Sequence, residues 1–466
     1  MAIAAALRFY DLAAESIWLD EAITASRVQK PYLEMLNDWD SRRQAPLYYV
    51  VEKTWCDVFG TGEAALRFPS AVFGVLGVLA VYGLGCELFS QRTALAGALL
   101  IAISPFAIRY SQEARPYALF FLLATASMTS VCRLARDPTR GNLVRHVAFA
   151  AGGVNTHPFG PILLGLHAAI GWILRGPHRT DRASRSAKAL RIGLASTAAI
   201  CVPTLVLLGQ SYAGKLRGQN YAGWIPKPAL IEPLDIVVGY FESRLMGGLA
   251  CLLIVGVICV RLRGATRARS SVAVLIAVIV SFIFVPWIVS MIRAPILIPR
   301  YTIPALGAVV LLVAWALTEL PRRAQVLAIV ALLVLTGRAL VPYYTATDKD
   351  PWRATGLWLT DRVRPGDVVI TPEILRLPLA YYFKPELGVE VVSPSDTTDL
   401  GPIFRTASHA WLIQSDRTPE SVLDRIRRDL GERFKPGATY VVNDNLRLNP
   451  RTPFRLKISI TPFDQR

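Results

Sequence analysis

Apolar runs of membrane-spanning length recur along this chain between short polar stretches: Pro69 to Glu87, Leu190 to Gln210, Gly247 to Val260, Ser271 to Met291, Tyr301 to Leu317 and Ala324 to Val341. A helix needs about 20 mostly apolar residues to cross a bilayer, and flanking turns extend the shorter runs. Weaker candidates lie at Ala94–Ile108, Tyr117–Leu134, His146–Asn155 and Phe159–Leu174. The opening Met1–Leu7 is apolar but far too short to span. The expectation is a native start further upstream that completes a first helix, giving about ten to eleven crossings in all.

After Val341 the pattern changes. Arg364-Pro365-Gly366-Asp367 is a turn signal leading into the apolar stretch Val368–Thr371. Further strands are predicted at Val389–Val392, Ala410–Ile413 and Thr439–Val442, with helices at Trp352–Val363 and Pro419–Leu430. The chain thus divides into a transmembrane domain, 1–342, with a large first external loop, 8–68, and a small soluble α/β domain, 343–466. The fold class is a polytopic α-helical membrane protein with a C-terminal extracytoplasmic α/β domain. No low-complexity segment or fixed-period repeat interrupts this plan.

Composition agrees with the pattern. Of the 466 residues 53% are hydrophobic and 18% charged, and the mean hydropathy is +0.39, too apolar for a soluble enzyme of this length. The net charge of +17 raises nucleic acid as a partner. From Tyr343 onward, however, 18 Lys and Arg face 16 Asp and Glu, so the excess belongs to membrane loops and no nucleic acid is expected. The six cysteines show no CxxC spacing, and all but Cys56 fall in or beside spans, which gives neither a disulfide framework nor a metal site.

If the spans alternate, one set of loops carries Arg92, Arg133, Arg136, Arg140, Arg145, Arg175, Arg179, Arg182, Arg185, Lys188, Arg191, Arg261, Arg263, Arg267, Arg269, Arg322 and Arg323. The opposite short loops hold only Arg109, Arg115, Lys215, Arg217, Lys227, Arg244, Arg293 and Arg300. The positive-inside rule puts the first set in the cytoplasm. The outer face then receives the 8–68 loop, the turn around Tyr110–Pro116, the turn at His157 and the tail.

Chemistry concentrates on that outer face. Ser16-Ile17-Trp18-Leu19-Asp20-Glu21-Ala22 sets two adjacent carboxylates at the membrane edge. Such a carboxylate accepts a proton from an acceptor hydroxyl if it lies within hydrogen-bond reach, although acids also simply favour a helix start. In Tyr110-Ser111-Gln112-Glu113-Ala114-Arg115-Pro116-Tyr117, ionisable groups sit between two apolar spans. Being two apart, Glu113 and Arg115 miss the helical pair spacing. They suit separate partners, Glu113 a hydroxyl or metal and Arg115 a phosphate; the plain reading is an interfacial anchor with a snorkelling Arg. His157, in a tight turn, is a candidate for phosphate or metal or an ordinary turn residue. Arg300-Tyr301, after Pro299, is a phosphate contact or an anchor.

Leu7-Arg8-Phe9-Tyr10, Trp18-Leu19-Asp20-Glu21-Ala22, Ala45-Pro46-Leu47-Tyr48-Tyr49, Ser104-Pro105-Phe106, Tyr110-Ser111-Gln112-Glu113-Ala114-Arg115, Thr156-His157 and Pro299-Arg300-Tyr301 occur in this order. In these strings the chain resembles the bacterial protein O-mannosyltransferase-like membrane glycosyltransferases of the glycosyltransferase C superfamily, relatives of the aminoarabinose transferase that modifies lipid A. The similarity is dense over roughly the first third. It implies a multi-pass protein of the bacterial cytoplasmic membrane that moves a sugar from a polyprenyl-phosphate donor to a protein, lipid or glycan acceptor. Residue by residue, Asp20 matches the loop carboxylate that acts as general base, Glu21 its neighbour and Glu113 the second acidic position. Arg115, Arg300, His157 and Tyr301 are the candidates for the donor phosphate. No cofactor is assigned beyond the polyprenyl-phosphate-linked sugar as donor substrate, and room is left for a divalent metal. Where the family usually has His-Pro-Pro before Leu-Tyr-Tyr, this chain has Gln44-Ala45-Pro46. Rival readings are a lipid or solute transporter, against which the absence of a repeat and the one-sided charged clusters count, and a sensor built around the outer domain.

Overall fold

The computed structural model describes residues 1–37, 44–175, 181–216, 225–261, 266–346, 349–384, 389–393, 401–416, 418–431, 433–442 and 457–465. Arg179, Arg217 and Arg263 of the charge pattern lie outside the described residues. The chain forms two compact units. One comprises Met1–Leu12, Lys30–Gly60 and Ala64–Leu340; the other comprises Ala13–Gln29, Thr61–Glu63 and Val341–Arg466. This division runs through the predicted 8–68 loop as well as near residue 342.

The first unit is a helical bundle. Among the described residues, Glu63–Leu88, Tyr117–Arg136, Ala268–Ile292, Pro299–Thr318 and Arg322–Thr345 are long and apolar enough to cross a membrane. Three bent pairs raise the number to eight if each crosses as one: Gln91–Ile103 with Pro105–Ser111 (59°), Ser184–Ile200 with Val202–Gly214 (68°), and Glu232–Gly239 with Arg244–Cys259 (104°). The expected single span Leu190–Gln210 is therefore broken near Cys201, where Pro203 follows one residue into the next helix. The 59° bend has a legible cause. Proline disfavours helical backbone in the residue before it; Ser104 leaves the helix, caps the next one through Ala107 N at 3.3 Å, and Pro105 takes its first position.

Small residues let these helices approach closely, as in membrane bundles generally. A Cβ at Gly74 would lie 2.1 Å from Ser111 Oγ, and one at Gly85 would lie 2.7 Å from Ala94 Cα. Polar groups inside the bundle bond to one another: Ser127 Oγ lies 3.1 Å from His167 Nε2, and Ser130 Oγ lies 3.5 Å from His146 Nδ1. The short Ala2–Phe9 helix is locked by the fully buried Arg8, whose guanidinium donates to Ala102 O (2.9 Å) and Ile101 O (3.0 Å), carbonyls left over at the end of Gln91–Ile103.

The second unit is an α/β layer structure. Strands β1 (Val368–Ile370), β2 (Glu390–Val392), β3 (His409–Ser415), β4 (Phe434–Pro436), β5 (Tyr440–Val441) and β6 (Ile458–Gln465) form a sheet of order β2-β1-β3-β6-β4, with β5 also paired to β6. β1 runs parallel to β2 and β3, and β6 antiparallel to β3, β4 and β5. Side chains alternate across the sheet. Val369, Ile413, Ile458 and Ile460 pack with Trp352, Leu359 and Leu379 on one face, while Val368, Ile370, Leu412 and Phe463 pack with Ile426, Leu430 and Phe434 on the other. Sequence reasoning missed β6 because Pro462 interrupts it; there it sits opposite Trp411, and its carbonyl accepts Gly437 N.

Candidate active site

Two groups of candidate residues emerge, one in each unit. In the first, Glu113 and Arg115 occupy the turn between Pro105–Ser111 and Tyr117–Arg136, and both are buried. Gln112 pins this turn, its side-chain amide donating to Arg8 O (3.1 Å) and Tyr10 O (2.9 Å). Pro116 then starts the next helix, so the polar residues stay confined to one turn at the end of an apolar rod. Arg115 Nη1 donates to Tyr49 Oη at 3.3 Å, and Ser70 Oγ donates to the Arg115 carbonyl. Tyr49 in turn donates to Gln44, at the position where the resembling family usually has His. The departure in that loop is thus linked through one tyrosine to a proposed phosphate ligand.

His157 is buried in the turn between Arg140–Val154 and Ile162–Arg175. Its ring stacks on Phe120 (centroids 4.8 Å apart, 16°) and meets Tyr301 edge-on at 4.8 Å. Burial, then the charges of Arg115 and Arg300, hold the imidazole down to about 3, so it is neutral at physiological pH. Its Nδ1 accepts the Phe159 amide at 3.1 Å, which places the proton on Nε2. The residue offers a phosphate one N–H donor and no charge.

Arg300 and Tyr301 ride on the 3₁₀ turn Pro299–Thr302. The Arg300 guanidinium lies 6.0 Å from the Tyr117 ring centroid and 5.7 Å from that of Tyr301. Tyr240 holds this turn from beneath, its hydroxyl bonding Thr302 O at 2.8 Å and Oγ1 at 2.6 Å. Arg115, His157, Arg300 and Tyr301, drawn from three segments of the chain, therefore share one polar and aromatic cluster, with Glu113 two residues from Arg115 in the same buried turn. Sequence reasoning missed Tyr49, Tyr240 and Glu52. Glu52 is a fully buried carboxylate on Leu47–Phe59. Burial and then its charge push the neighbouring Cys56 thiol up to about 12. The Leu47-Tyr48-Tyr49 string was the available signal, since Glu52 lies three and four residues beyond the tyrosines, on the same helical face.

Asp20 and Glu21 belong to the second unit, at the N-terminal turn of Leu19–Val28. That helix packs on Glu373–Tyr382. Ile17 N donates to Tyr382 Oη (2.6 Å), Ser16 donates to the Asp350 carbonyl, and Arg353 Nη2 donates to Ala13 O (2.6 Å). Glu21 is fully buried and takes an ion pair from Lys349 at 2.9 Å. Asp20, one residue earlier, is half-buried. Among the described residues no three His, Cys, Asp or Glu side chains gather to hold a metal.

Residues 43–207 match the family model of dolichyl-phosphate-mannose-protein mannosyltransferases. No curated protein sequence matches the chain. The fold is similar to the crystal structure of ArnT from Cupriavidus metallidurans, both in the apo state and bound to undecaprenyl phosphate: in each case the TM-score is 0.64 at 15% identity, over 99% of this chain and 96% of the other. It is also similar to the archaeal oligosaccharyltransferase AglB from Archaeoglobus fulgidus in complex with an inhibitory peptide and a dolichol-phosphate (TM-score 0.55, 12% identity, 88% of this chain and 68% of the other). The resemblance read from the sequence is borne out, and the architecture is that of the multi-pass membrane glycosyltransferases of the glycosyltransferase C type.

Proposed function

We propose that this protein is a glycosyltransferase that moves a sugar from a polyprenyl-phosphate donor to an acceptor at the outer face of the bacterial cytoplasmic membrane. The observation that carries this reading is the convergence of Arg115, His157, Arg300 and Tyr301 at one end of the bundle. Two guanidinium groups and a neutral N–H donor suit the phosphate of a donor whose lipid tail stays in the bilayer. The neighbours that bind undecaprenyl phosphate and dolichol-phosphate support the choice of donor class.

In the reaction the acceptor hydroxyl or amine loses its proton to Asp20 as it attacks the anomeric carbon. The bond to the phosphate oxygen breaks, and the polyprenyl phosphate leaves with the electron pair. Arg115, Arg300 and the His157 Nε2–H meet the charge growing on that oxygen. A single displacement inverts the anomeric centre. Glu113 orients the acceptor or sugar hydroxyls, Tyr301 supports the cation beside it, and Glu21 holds the loop through Lys349. The base assignment rests on the family resemblance, and the domain plan remains a transmembrane part with a soluble extracytoplasmic tail. Incubating the purified full chain with polyprenyl-phosphate sugars and an acceptor extract tests the activity through release of free polyprenyl phosphate; no release from any such donor overturns the reading.

Arg115 separates phosphate recognition from simple anchoring. A planar fork reads phosphate bidentately, whereas Lys supplies only a point charge. Arg115→Lys is expected to weaken donor use, and Arg115→Ala further, by about one to two orders of magnitude from roughly 1.5–3 kcal/mol. Titrating the donor checks this, and an unchanged donor dependence in Arg115→Ala would leave only an anchor.

The topology is tested by labelling intact cells. In a variant lacking the six native cysteines, a cysteine at the exposed Ser408 is expected to react with an impermeant reagent from outside, and one at the exposed Ser184 only after lysis. The reverse pattern would move the tail, and every proposed outer-face residue with it, to the cytoplasm.

A further inference from the structure

The opposite end of the bundle carries a cavity that the transfer reaction does not use. Tyr117–Arg136 spans about 30 Å at 1.5 Å per residue, so its last turn lies a membrane core away from Arg115. There a cavity of about 180 Å³ opens between Glu63–Leu88, Tyr117–Arg136 and Arg140–Val154. Arg133 and Arg145 line it together with Thr129, Gly83, Ala80 and Phe149, and its accessible lining is almost wholly apolar.

Charge and shape together select the occupant. Arg133 Nε donates to Glu87 Oε2 at 3.2 Å, and Arg136 donates to the same carboxylate at 2.6 Å. The terminal nitrogens of Arg133 have no bond to other described residues, and Arg145 has only a long contact of 3.4 Å to Asn142 Oδ1. Arg133, Arg136 and Arg145 against the single carboxylate of Glu87 leave this rim net cationic. The apolar side continues toward the middle of the bundle: Leu76 and Leu79, each four residues before Ala80 and Gly83, are 40% and 47% exposed, and Phe149 is 38% exposed. Gly83 leaves the slot open, since a Cβ there would come no nearer than 4.0 Å to Thr129. A cationic rim with an apolar track running from it fits an amphiphile with an anionic head. We propose that Arg133 and Arg145 bind the headgroup of an anionic phospholipid whose acyl chain lies in the cavity along Gly83, Ala80 and Phe149 toward Leu76, at a site separate from the donor's.

The test is native mass spectrometry of the full chain in detergent with equimolar phosphatidylglycerol and phosphatidylcholine. Two arginines near a membrane surface contribute about fivefold each, so a preference for phosphatidylglycerol of roughly thirtyfold is expected at this site. It should fall about fivefold in Arg145→Gln, an exposed residue whose loss leaves the Glu87 pairs intact, and to near parity in Arg133→Gln/Arg145→Gln. Gly83→Leu, which fills the slot, should reduce retention of both lipids. Equal retention of the two lipids by the wild type, or a preference that survives the double substitution, overturns the proposal. An arm with inorganic phosphate separates the sources of the anion: binding as tight as that of phosphatidylglycerol would make this a free-phosphate site and remove the lipid assignment.

Discussion

Asp20→Asn is expected to lower sugar transfer by about 10²–10⁴-fold, the usual span for loss of a general base. Asn keeps the size and shape of the side chain, so folding and membrane insertion should persist. Asp20 sits in the first turn of Leu19–Val28 and is half-buried. The measurement is release of polyprenyl phosphate at matched protein level. Activity within a fewfold of the wild type would eliminate Asp20 as the base. Asp20→Glu, which retains the proton acceptor at a different reach, should recover part of the rate.

Glu21 should behave differently although it is the very next residue. Successive side chains on a helix point about 100° apart, so adjacent carboxylates address different surroundings. Here Glu21 is fully buried on Lys349, whose side chain is 13% exposed. Removing one partner of such a pair typically costs about 3–5 kcal/mol, because the other charge is left buried without its counter-charge. Glu21→Ala and Lys349→Ala are each expected to destabilise the second unit by that order, read as a lowered unfolding temperature of the Trp signal. Glu21→Leu/Lys349→Met, which replaces the pair with apolar groups, should recover most of the loss. A double variant no more stable than the single ones would sink the explanation by stranded charge. Measured alongside Asp20→Asn, these variants separate a chemical defect from a folding defect within one dipeptide.

Much of the fold was legible because its signals are local. A bilayer requires long apolar helices, so Glu63–Leu88, Ala268–Ile292 and Arg322–Thr345 could be placed from hydropathy alone. The change of pattern after Val341, with Arg364-Pro365-Gly366-Asp367 before β1, identified the α/β unit. Other elements were hidden. Glu373–Tyr382 contains Pro378, and β6 contains Pro462, residues that argue against helix and strand until tertiary contacts accommodate them. The site divides in the same way. Asp20, Glu113, Arg115, His157 and Arg300 were visible as chemically unusual groups at membrane edges. The roles of Tyr49 and Tyr240 were not, because a tyrosine there also reads as an interfacial residue.

By itself the sequence determined that this is a membrane protein, where its apolar spans and small α/β unit lie, and which polar strings resemble the glycosyltransferase family, since hydropathy, turn chemistry and motifs are properties of neighbouring residues. Only the tertiary structure decided that Arg115, His157 and Arg300 share one cluster, that His157 is neutral within it, and that the segment bearing Asp20 and Glu21 folds with the C-terminal unit through Lys349, Arg353 and Tyr382. These outcomes depend on groups brought together from distant parts of the chain, where burial and nearby charge set protonation and pairing, and no local pattern encodes them.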